Sequence, residues 1–327
     1  MQRSIVTIGA SAGGIEALTS LVAHLPHTFP ATLFVVVHIA ADSPGALPRM
    51  IARAGELPTE QAIDGAAILP GHIYVAPPDR HLLVEPNRMR VTRGPKENRF
   101  RPAVDPLFRS AAYAYGPQAI GIVLSGALDD GTAGLWAIKD RGGLAIVQEP
   151  AEAAYPSMPQ NALRNVEIDY RLPVKEMASL LLELVNEPIP EEGGAPVSEA
   201  MKIENQIALE DNALQAGVLK LGPLSPYTCP ECHGVLVQLQ EGNNIRFRCH
   251  TGHAFSMESL VDAIGESMDE TLWSAVRVFE ERMLLLRHMA DHMRKQAQAT
   301  LAERFEQKAQ AAEDRVLLLR QLALAKE

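Results

Sequence analysis

The segment Ser4–Leu18, SIVTIGASAGGIEAL, decides the fold and raises the question of function. A short apolar run ends in a glycine-rich turn that carries one serine, Ser11, and a helical pattern follows. A strand, a glycine-rich turn and a helix together are typical of a phosphate site, because amide groups at a helix start point toward an anion. A serine in such a turn is also typical of a helix N-cap or of a nucleophile elbow.

The first 186 residues alternate strand patterns with helix patterns. The runs TLFVVVH, GHIYVAP, AIGIVLSGA and GLAIVQE predict strands, and IEALTSLVAHL, VDPLFRSAAYAYG, GTAGLWAIKDRG and VKEMASLLLELV predict helices. The continuous apolar runs VVV and IGIVL indicate strands buried on both faces, as in a parallel sheet covered by helices. We therefore expect residues 1–186 to form one α/β domain around a doubly wound, mostly parallel sheet.

Three further regions are predicted after this domain. Residues 187–221 hold an acidic linker and a short helix, residues 222–256 hold all three cysteines, and residues 257–327 have the composition of long helices. Apolar side chains in this tail recur at spacings of three and four, at Val276, Phe279, Met283, Leu286 and Met289. Such a face predicts a partner-binding or self-associating element, or a helical hairpin that packs on itself.

Composition excludes several classes of partner. The net charge of −10 gives no support to a nucleic-acid partner. No apolar run reaches the roughly 18 residues that a spanning helix needs, so we expect no membrane insertion. Nothing resembles a signal peptide, so we expect a cytoplasmic protein. In such a chain, three cysteines clustered within 21 residues suggest a metal site rather than disulfides.

Polar residues that can form a catalytic triad follow three of the predicted strands. Ser11 follows the first, His38 ends TLFVVVH, and the pair Asp129-Asp130 follows IGIVLSG. Catalytic groups on open α/β sheets lie outside the carboxyl ends of the strands. A serine hydroxyl becomes a nucleophile when a histidine takes its proton and an acid orients that histidine. We therefore expect a serine hydrolase site at this edge.

Alternatives stay open at each position. Ser11 occupies the second glycine position of the dinucleotide fingerprint, and no Walker lysine follows, so neither phosphate-binding motif is complete. Ser11 could still be a helix N-cap. His81, in APPDRH, competes with His38 as the base, and its ordinary role would be a loop histidine bonded to backbone. Either Asp129 or Asp130 could instead cap the helix beginning near Thr132. The chain order here is Ser, His, Asp, whereas an α/β-hydrolase has Ser, Asp, His, so the usual hydrolase topology is disfavoured although the triad chemistry is not.

The first 186 residues resemble the catalytic domain of CheB, the chemotaxis protein-glutamate methylesterase. The motifs that carry the resemblance are IGASAGGIEAL, VVVH, PGHIYVAPPDRHL, NRFRPAVDPLFRSAA, VLSGALDDGTAGL and SMPQNAL, in that order. In that family the serine of GAS attacks, the histidine ending the second strand is the base, and an aspartate before glycine completes the triad. The resemblance assigns these roles to Ser11, His38 and Asp130.

The resemblance also implies the reaction and the partners. It implies hydrolysis of glutamate γ-methyl esters on methylated chemoreceptors or related signalling proteins, with no cofactor for catalysis. Glutamine deamidation is a second candidate reaction, and a cognate methyltransferase is a further candidate partner. The rival hypothesis is a non-catalytic signalling adaptor that uses the α/β domain and the tail to bind partners.

The chain departs from the family pattern at several points. Ala12 stands where threonine often follows the serine, and SGAL (residues 125–128) stands where the family has TGMG. Oxyanion donors would then be backbone amides near these turns. The chemotaxis enzymes of this family carry a phosphorylatable receiver domain before the catalytic domain, whereas the sequence here starts at the catalytic strand. We therefore expect activity without phosphorylation of this chain, and a soluble esterase after truncation near Val185. The basic segment 88–101 predicts either an edge that attracts acidic substrates or a solvated hairpin.

The cysteine region predicts a structural zinc site. Its sequence, CPECHGVLVQLQEGNNIRFRCHTGHAFS, has a Cys-x-x-Cys pair and a later cysteine followed by histidines, and two such knuckles separated by a hairpin supply four tetrahedral ligands. The fourth ligand is open between His253, His250 and His233. Related segments on stand-alone CheB-like proteins match His253. The predicted ligands are therefore Cys229, Cys232, Cys249 and His253, in a closed site that is silent in catalysis.

Overall fold

The computed structural model describes residues 2–189, 194–210 and 212–325. The chain divides into two compact units, Met1–Leu260 and Val261–Glu327, and each is described by itself. The predicted linker region 187–221 includes residues 190–193 and Asp211, which lie outside the described residues.

The elements follow in chain order. They are β1 (Ile5–Ala10), α1 (Gly14–Val22), β2 (Thr32–Val37), α2 (Leu47–Ala54), β3 (Thr59–Gln61), β4 (Ile73–Val75), β5 (His81–Glu85), β6 (Arg88–Thr92), α3 (Val104–Tyr115), β7 (Ala119–Val123), α4 (Thr132–Asp140), β8 (Leu144–Gln148), α5 (Ser157–Asn165), β9 (Tyr170–Leu172), α6 (Val174–Asn186), α7 (Glu199–Glu210), α8 (Ala213–Ala216), β10 (Leu224–Thr228), β11 (Val235–Glu241), β12 (Asn244–Cys249), β13 (Ala254–Ser256), α9 (Met257–Lys295) and α10 (Ala299–Leu324).

A seven-stranded parallel sheet forms the centre of the first unit, with strand order β3-β4-β2-β1-β7-β8-β9. Its strands carry apolar side chains on both faces, which must be covered to leave water. One core cluster packs α1, α2 and α6 on the sheet, and the other packs α3, α4 and α5 on the opposite face. The predicted doubly wound, mostly parallel sheet is confirmed.

The region around the cysteines forms a small antiparallel sheet with strand order β10-β11-β12-β13. Its central pair is the hairpin predicted from VLVQLQEGNNIRFR, with Glu241 opposite Asn244 and Gly242 in the turn at φ 58°. The outer strands β10 and β13 carry no clear alternation, and the sequence analysis did not predict them. Before this sheet, α7 packs on α3 and buries Ile203 and Ile207. Part of the predicted linker region is thus a packed helix.

The second unit is an antiparallel helical hairpin built from α9 and α10. Ion pairs join Glu280 to Arg320 and Arg287 to Glu313 across the two helices. Small side chains are buried in this unit, at Ala290, Ala302, Ala309 and Ala312. The predicted helical tail is confirmed. Within the described residues, none of the helices combines the length and the apolar character needed to cross a membrane.

Candidate active site

Three polar side chains meet at the carboxyl edge of the central strands. Ser11 follows β1, His38 follows β2 and Asp130 follows β7, and these strands are neighbours in the sheet. The His38 Nδ1 atom lies 3.1 Å from Ser11 Oγ, and His38 Nε2 lies 2.7 Å from Asp130 Oδ2. This geometry fits an imidazole that donates its Nε2–H to the carboxylate and accepts the serine proton at Nδ1.

The turn around Ser11 depends on close backbone approaches. Helix α1 begins after Gly13, which has φ 69° and caps the helix without a side-chain bond, so Ser11 is not the N-cap. The Ser11 amide donates to the Ser125 carbonyl at 3.0 Å and ties this turn to the one after β7. A Cβ on Gly126 would lie 2.0 Å from Met158 Sδ and 2.9 Å from Ser11 Cβ. Glycine at position 126 therefore lets the two turns meet.

His38 is held between the carboxylate and an aromatic ring. Phe100 stacks on the imidazole with ring centroids 3.6 Å apart and planes 9° from parallel. A cleft of about 600 Å³ opens here, and Ser11, Ala12, His38 and Phe100 are among its lining residues. The competing histidine, His81, is buried elsewhere, with Nε2 2.9 Å from the Pro95 carbonyl. It is bonded to backbone.

Asp130 is surrounded by hydrogen-bond donors. Its oxygens accept from the Val104 amide at 2.7 Å, the Gly131 amide at 3.0 Å and Asn98 Nδ2 at 2.9 Å, in addition to His38. Burial alone would raise the pKa of Asp130, but the donors and the imidazole hold it below its ordinary value. The carboxylate stays charged, as needed to orient a histidine and stabilise its cation.

Asp129 lies next in sequence but faces other groups. Its Oδ1 accepts a 2.7 Å hydrogen bond from Ser256 Oγ, where β13 ends. Burial, with a smaller contribution from nearby carboxylates, raises the pKa of Asp129 to about 7. The side chain that lies against His38 is therefore Asp130. Helix α4 starts after Gly131 without a side-chain cap, so neither aspartate has the alternative capping role.

Sequence reasoning missed Asn98, Phe100 and Asp105. Asn98 Nδ2 bridges the carboxylates of Asp130 and Asp105, with both distances 2.9 Å. The sequence signal that could have found them was the motif NRFRPAVDPLFRSAA, which carries the family resemblance and contains all three residues. Asn98 and Phe100 also lie in the basic segment 88–101. Most basic side chains of that segment are in ion pairs, with Glu85, Asp64, Asp79 and Glu231. These ion pairs leave the segment little positive charge to attract an acidic substrate, which favours the solvated hairpin over a substrate-attracting edge.

The four predicted metal ligands lie together in the small sheet. The ligand atoms of Cys229, Cys232, Cys249 and His253 are all within 4.8 Å of one another. The Cys232 and Cys249 sulfurs are 3.6 Å apart, and His253 Nδ1 is 3.6 Å from Cys249 Sγ and 3.7 Å from Cys229 Sγ. Three sulfurs and one imidazole at these separations fit a tetrahedral metal ion with bonds of about 2.0–2.3 Å. His250 is outside the cluster, against Gly234.

Comparison with known proteins gives a family for residues 6–181, which match the model of the CheB methylesterase family. A putative protein-glutamate methylesterase/protein-glutamine glutaminase from Leptospira interrogans is 37% identical over 185 residues, which are 56% of this chain and 96% of the relative. Protein-glutamate methylesterase/protein-glutamine glutaminase 3 from Anaeromyxobacter dehalogenans is 44% identical over 157 residues, but the match spans only 46% of that relative.

A solved structure is similar as well. The crystal structure of the Thermotoga maritima CheB methylesterase catalytic domain matches with a TM-score of 0.55 and 32% identity, and the match covers 57% of this chain and all of that one. The range matched by the family model, residues 6–181, spans the parallel sheet and ends before the cysteine region and the helical hairpin.

Proposed function

This chain belongs to the CheB methylesterase family, and from that membership we propose that it hydrolyses glutamate γ-methyl esters on proteins. The observation that carries the proposal is the hydrogen-bonded series Ser11–His38–Asp130 beside an open cleft. A non-catalytic adaptor would have no need of this alignment, so the enzyme is favoured over the adaptor.

The residues act in two half-reactions. Ser11 Oγ attacks the ester carbonyl while His38 Nδ1 takes its proton, and the same proton leaves with methanol as the acyl-enzyme forms. Water then attacks the acyl group while His38 Nδ1 takes a proton from it, His38 passes that proton to Ser11 Oγ, and the glutamate side chain of the substrate protein is released as a carboxylic acid. Asp130 keeps its charge and stabilises the imidazolium in both steps. Attack on a glutamine side chain would release ammonia by the same route, in line with the second activity in the names of the relatives.

Backbone amides would stabilise the oxyanion. Ala12 lines the cleft directly after Ser11 and precedes helix α1, whose N-terminus favours negative charge. This role needs no side chain, which fits alanine where the related enzymes often carry threonine.

Methylated chemoreceptors or similar signalling proteins are the proposed substrates. The family supports this kind of substrate. A cognate methyltransferase and self-association through the helical hairpin are the further partners that we propose. Arg93 and Arg101 of the basic segment 88–101 are both paired with Asp79, which leaves them little free positive charge for attracting an acidic substrate.

We also propose one structural Zn²⁺ ion, held by Cys229, Cys232, Cys249 and His253. The donor set of three thiolates and one imidazole suits zinc and fills all four positions. When bound, the ion would contribute to the folding of the small sheet and would take no part in the reaction at Ser11.

Two measurements on the purified chain test the enzyme proposal. We expect methanol release from a peptide that carries a glutamate γ-methyl ester, and stoichiometric labelling of Ser11 by a fluorophosphonate probe, located by mass spectrometry. A chain that releases no methanol and takes up no probe would instead be an adaptor.

A further inference from the structure

The side chain of Asn98 contacts the active site at one end and the small antiparallel sheet at the other. Its Nδ2 donates to Asp130 and Asp105, and its Oδ1 accepts from the Ser256 amide at 2.9 Å and from Ser259 Oγ at 3.2 Å. Asn98 is only 3% exposed. Both of its N–H donors and its carbonyl are therefore used inside the protein.

The backbone on either side of Asn98 is fixed by the same small sheet. The Asn98 amide donates to the Ala254 carbonyl at 2.8 Å, and the Ala254 amide donates to the Lys96 carbonyl at 3.2 Å. Asn98 has φ 49°, a left-handed conformation that asparagine adopts more readily than most residues. Two residues further on, Phe100 stacks on His38. One loop thus contacts two members of the triad.

A buried cluster of charges anchors this loop from the other side. Glu97 receives hydrogen bonds from Arg109 of α3 at 2.8 Å and from Arg248 of β12 at 2.9 Å. Glu204 of α7 pairs with Arg248 at 2.7 Å and with Arg246 at 3.0 Å. Buried charges persist only when they are paired, because separating them leaves an uncompensated charge. The elements after residue 186 are therefore part of the support for residues 97–100.

The Asn98 side-chain amide bonds two buried carboxyl groups that lie close together, Asp105 and Asp130. Asp105 and Asp130 are both buried, and each would repel the other if both were charged and nothing lay between them. Burial, with the nearby Asp130 charge, raises the pKa of Asp105 well above its ordinary value. The Asn98 amide donates to both carboxyls at once and brings no charge of its own. A carboxylate at this position could not do so.

We propose that Asn98 is a positioning residue for ester hydrolysis, through which the corner between β13 and α9 holds the Asp130 carboxylate against His38. The proposal rests on the proposed esterase function. It assigns a role in the reaction to a segment outside residues 6–181, which are the part matched by the family model.

The main test compares two asparagines that both have left-handed backbone. Asn98→Gly removes the side chain and tolerates φ 49°, and Asn87→Gly makes the same change at φ 62° on the exposed β5–β6 turn. With the γ-methyl ester peptide as substrate, we expect Asn98→Gly to lower kcat at least about tenfold with KM within about threefold, because small misplacements of catalytic groups are costly. Asn87→Gly should match wild type.

A second comparison approaches Asn98 from the sheet side, which keeps the proposal testable if Asn98→Gly does not fold. Ser259→Ala removes one of the two donors to Asn98 Oδ1, and Ser274→Ala is the matched exposed control on the same helix. We expect Ser259→Ala to lower kcat about threefold and Ser274→Ala to leave it unchanged. In the Asn98→Gly background, Ser259→Ala should cause no further loss.

The outcomes separate this proposal from the esterase function. Wild-type kcat in Asn98→Gly, or losses that multiply independently in the double variant, would overturn the positioning role while leaving the esterase intact. A wild-type chain with neither methanol release nor Ser11 labelling would overturn both.

Discussion

His38 and Asp130 share a 2.7 Å hydrogen bond, with 4% and 1% of their side chains exposed. Exclusion of water strengthens this bond and fixes the orientation of the imidazole. The serine-facing nitrogen is thereby left free to accept a proton.

Ser11→Ala and His38→Ala should each reduce kcat to about 10⁻⁴ of wild type or below, because nucleophile and base act as a unit. Fluorophosphonate labelling should disappear in both. His24→Ala, which changes an exposed surface histidine, serves as the control and should be fully active. Activity that survives in His38→Ala but is lost in His81→Ala would reverse the assignment of the base.

Asp130→Asn and Asp129→Asn form a matched pair of adjacent substitutions. Asp130→Asn should lower kcat by about 10³-fold or more, because the amide favours the wrong imidazole tautomer. Asp129→Asn should keep kcat within a few-fold of wild type, since Asp129 bonds Ser256 rather than His38. Steady-state kinetics at one pH suffices, and equal losses in the two variants would contradict the geometry.

Asp129 should also shape the dependence of stability on pH. Its folded-state pKa of about 7 lies above the unfolded value of about 3.9, so the folded chain binds more protons between these limits. This group therefore makes the free energy of unfolding fall as pH rises from about 4 to about 7. Relative to wild type, Asp129→Asn should gain stability between pH 5 and pH 8 in urea denaturation. A difference that stays constant with pH would count against the raised pKa.

The buried charge cluster should make Glu204 important for stability. Glu204→Gln leaves arginines without their partner and should lower the free energy of unfolding by about 3–5 kcal/mol. Glu199→Gln, on the exposed first turn of the same helix, should change it by less than about 0.5 kcal/mol. Denaturant midpoints of the two variants decide the comparison. Truncation near Val185 would remove Glu204 together with Arg246 and Arg248 and would leave Arg109 paired with Glu97, so the soluble esterase expected from the sequence stays a prediction.

The proposed metal takes no direct part in the reaction, but its loss should weaken the active site indirectly, through the small sheet that supports the loop carrying Asn98. His253 immediately precedes Ala254, which bonds the loop carrying Asn98. We therefore expect Cys249→Ala to lose zinc, to lower the melting temperature and to slow Ser11 labelling. His250→Ala should retain stoichiometric zinc in metal analysis. Metal-free wild-type protein with a folded small sheet would exclude the site.

The sequence by itself predicted the doubly wound parallel sheet of the first 186 residues, but not its edge strands β3 and β9. Runs such as VVV before His38 bury both faces of a strand, and that pattern needs only local information. The sequence also limited the candidate catalytic residues to a few, because polar residues that follow parallel strands meet at one edge of the sheet. The cysteine spacing predicted a metal site, because Cys229 and Cys232, and likewise Cys249 and His253, are close in the chain. The choice of His253 over His250 and His233 rested on the resemblance to CheB-like proteins.

Only the tertiary structure decided which of the candidate catalytic residues contact one another. Asp129 and Asp130 are indistinguishable by local pattern, and the direction of each side chain depends on the packing of α3 and β13 around them. Asn98 and Ser256 are 158 residues apart in the chain, yet they share a hydrogen bond beside the triad. Helical and strand periodicities report which face of an element is buried, but not what is buried against it. Contacts between distant segments arise when the whole core closes, and no short stretch of sequence encodes them.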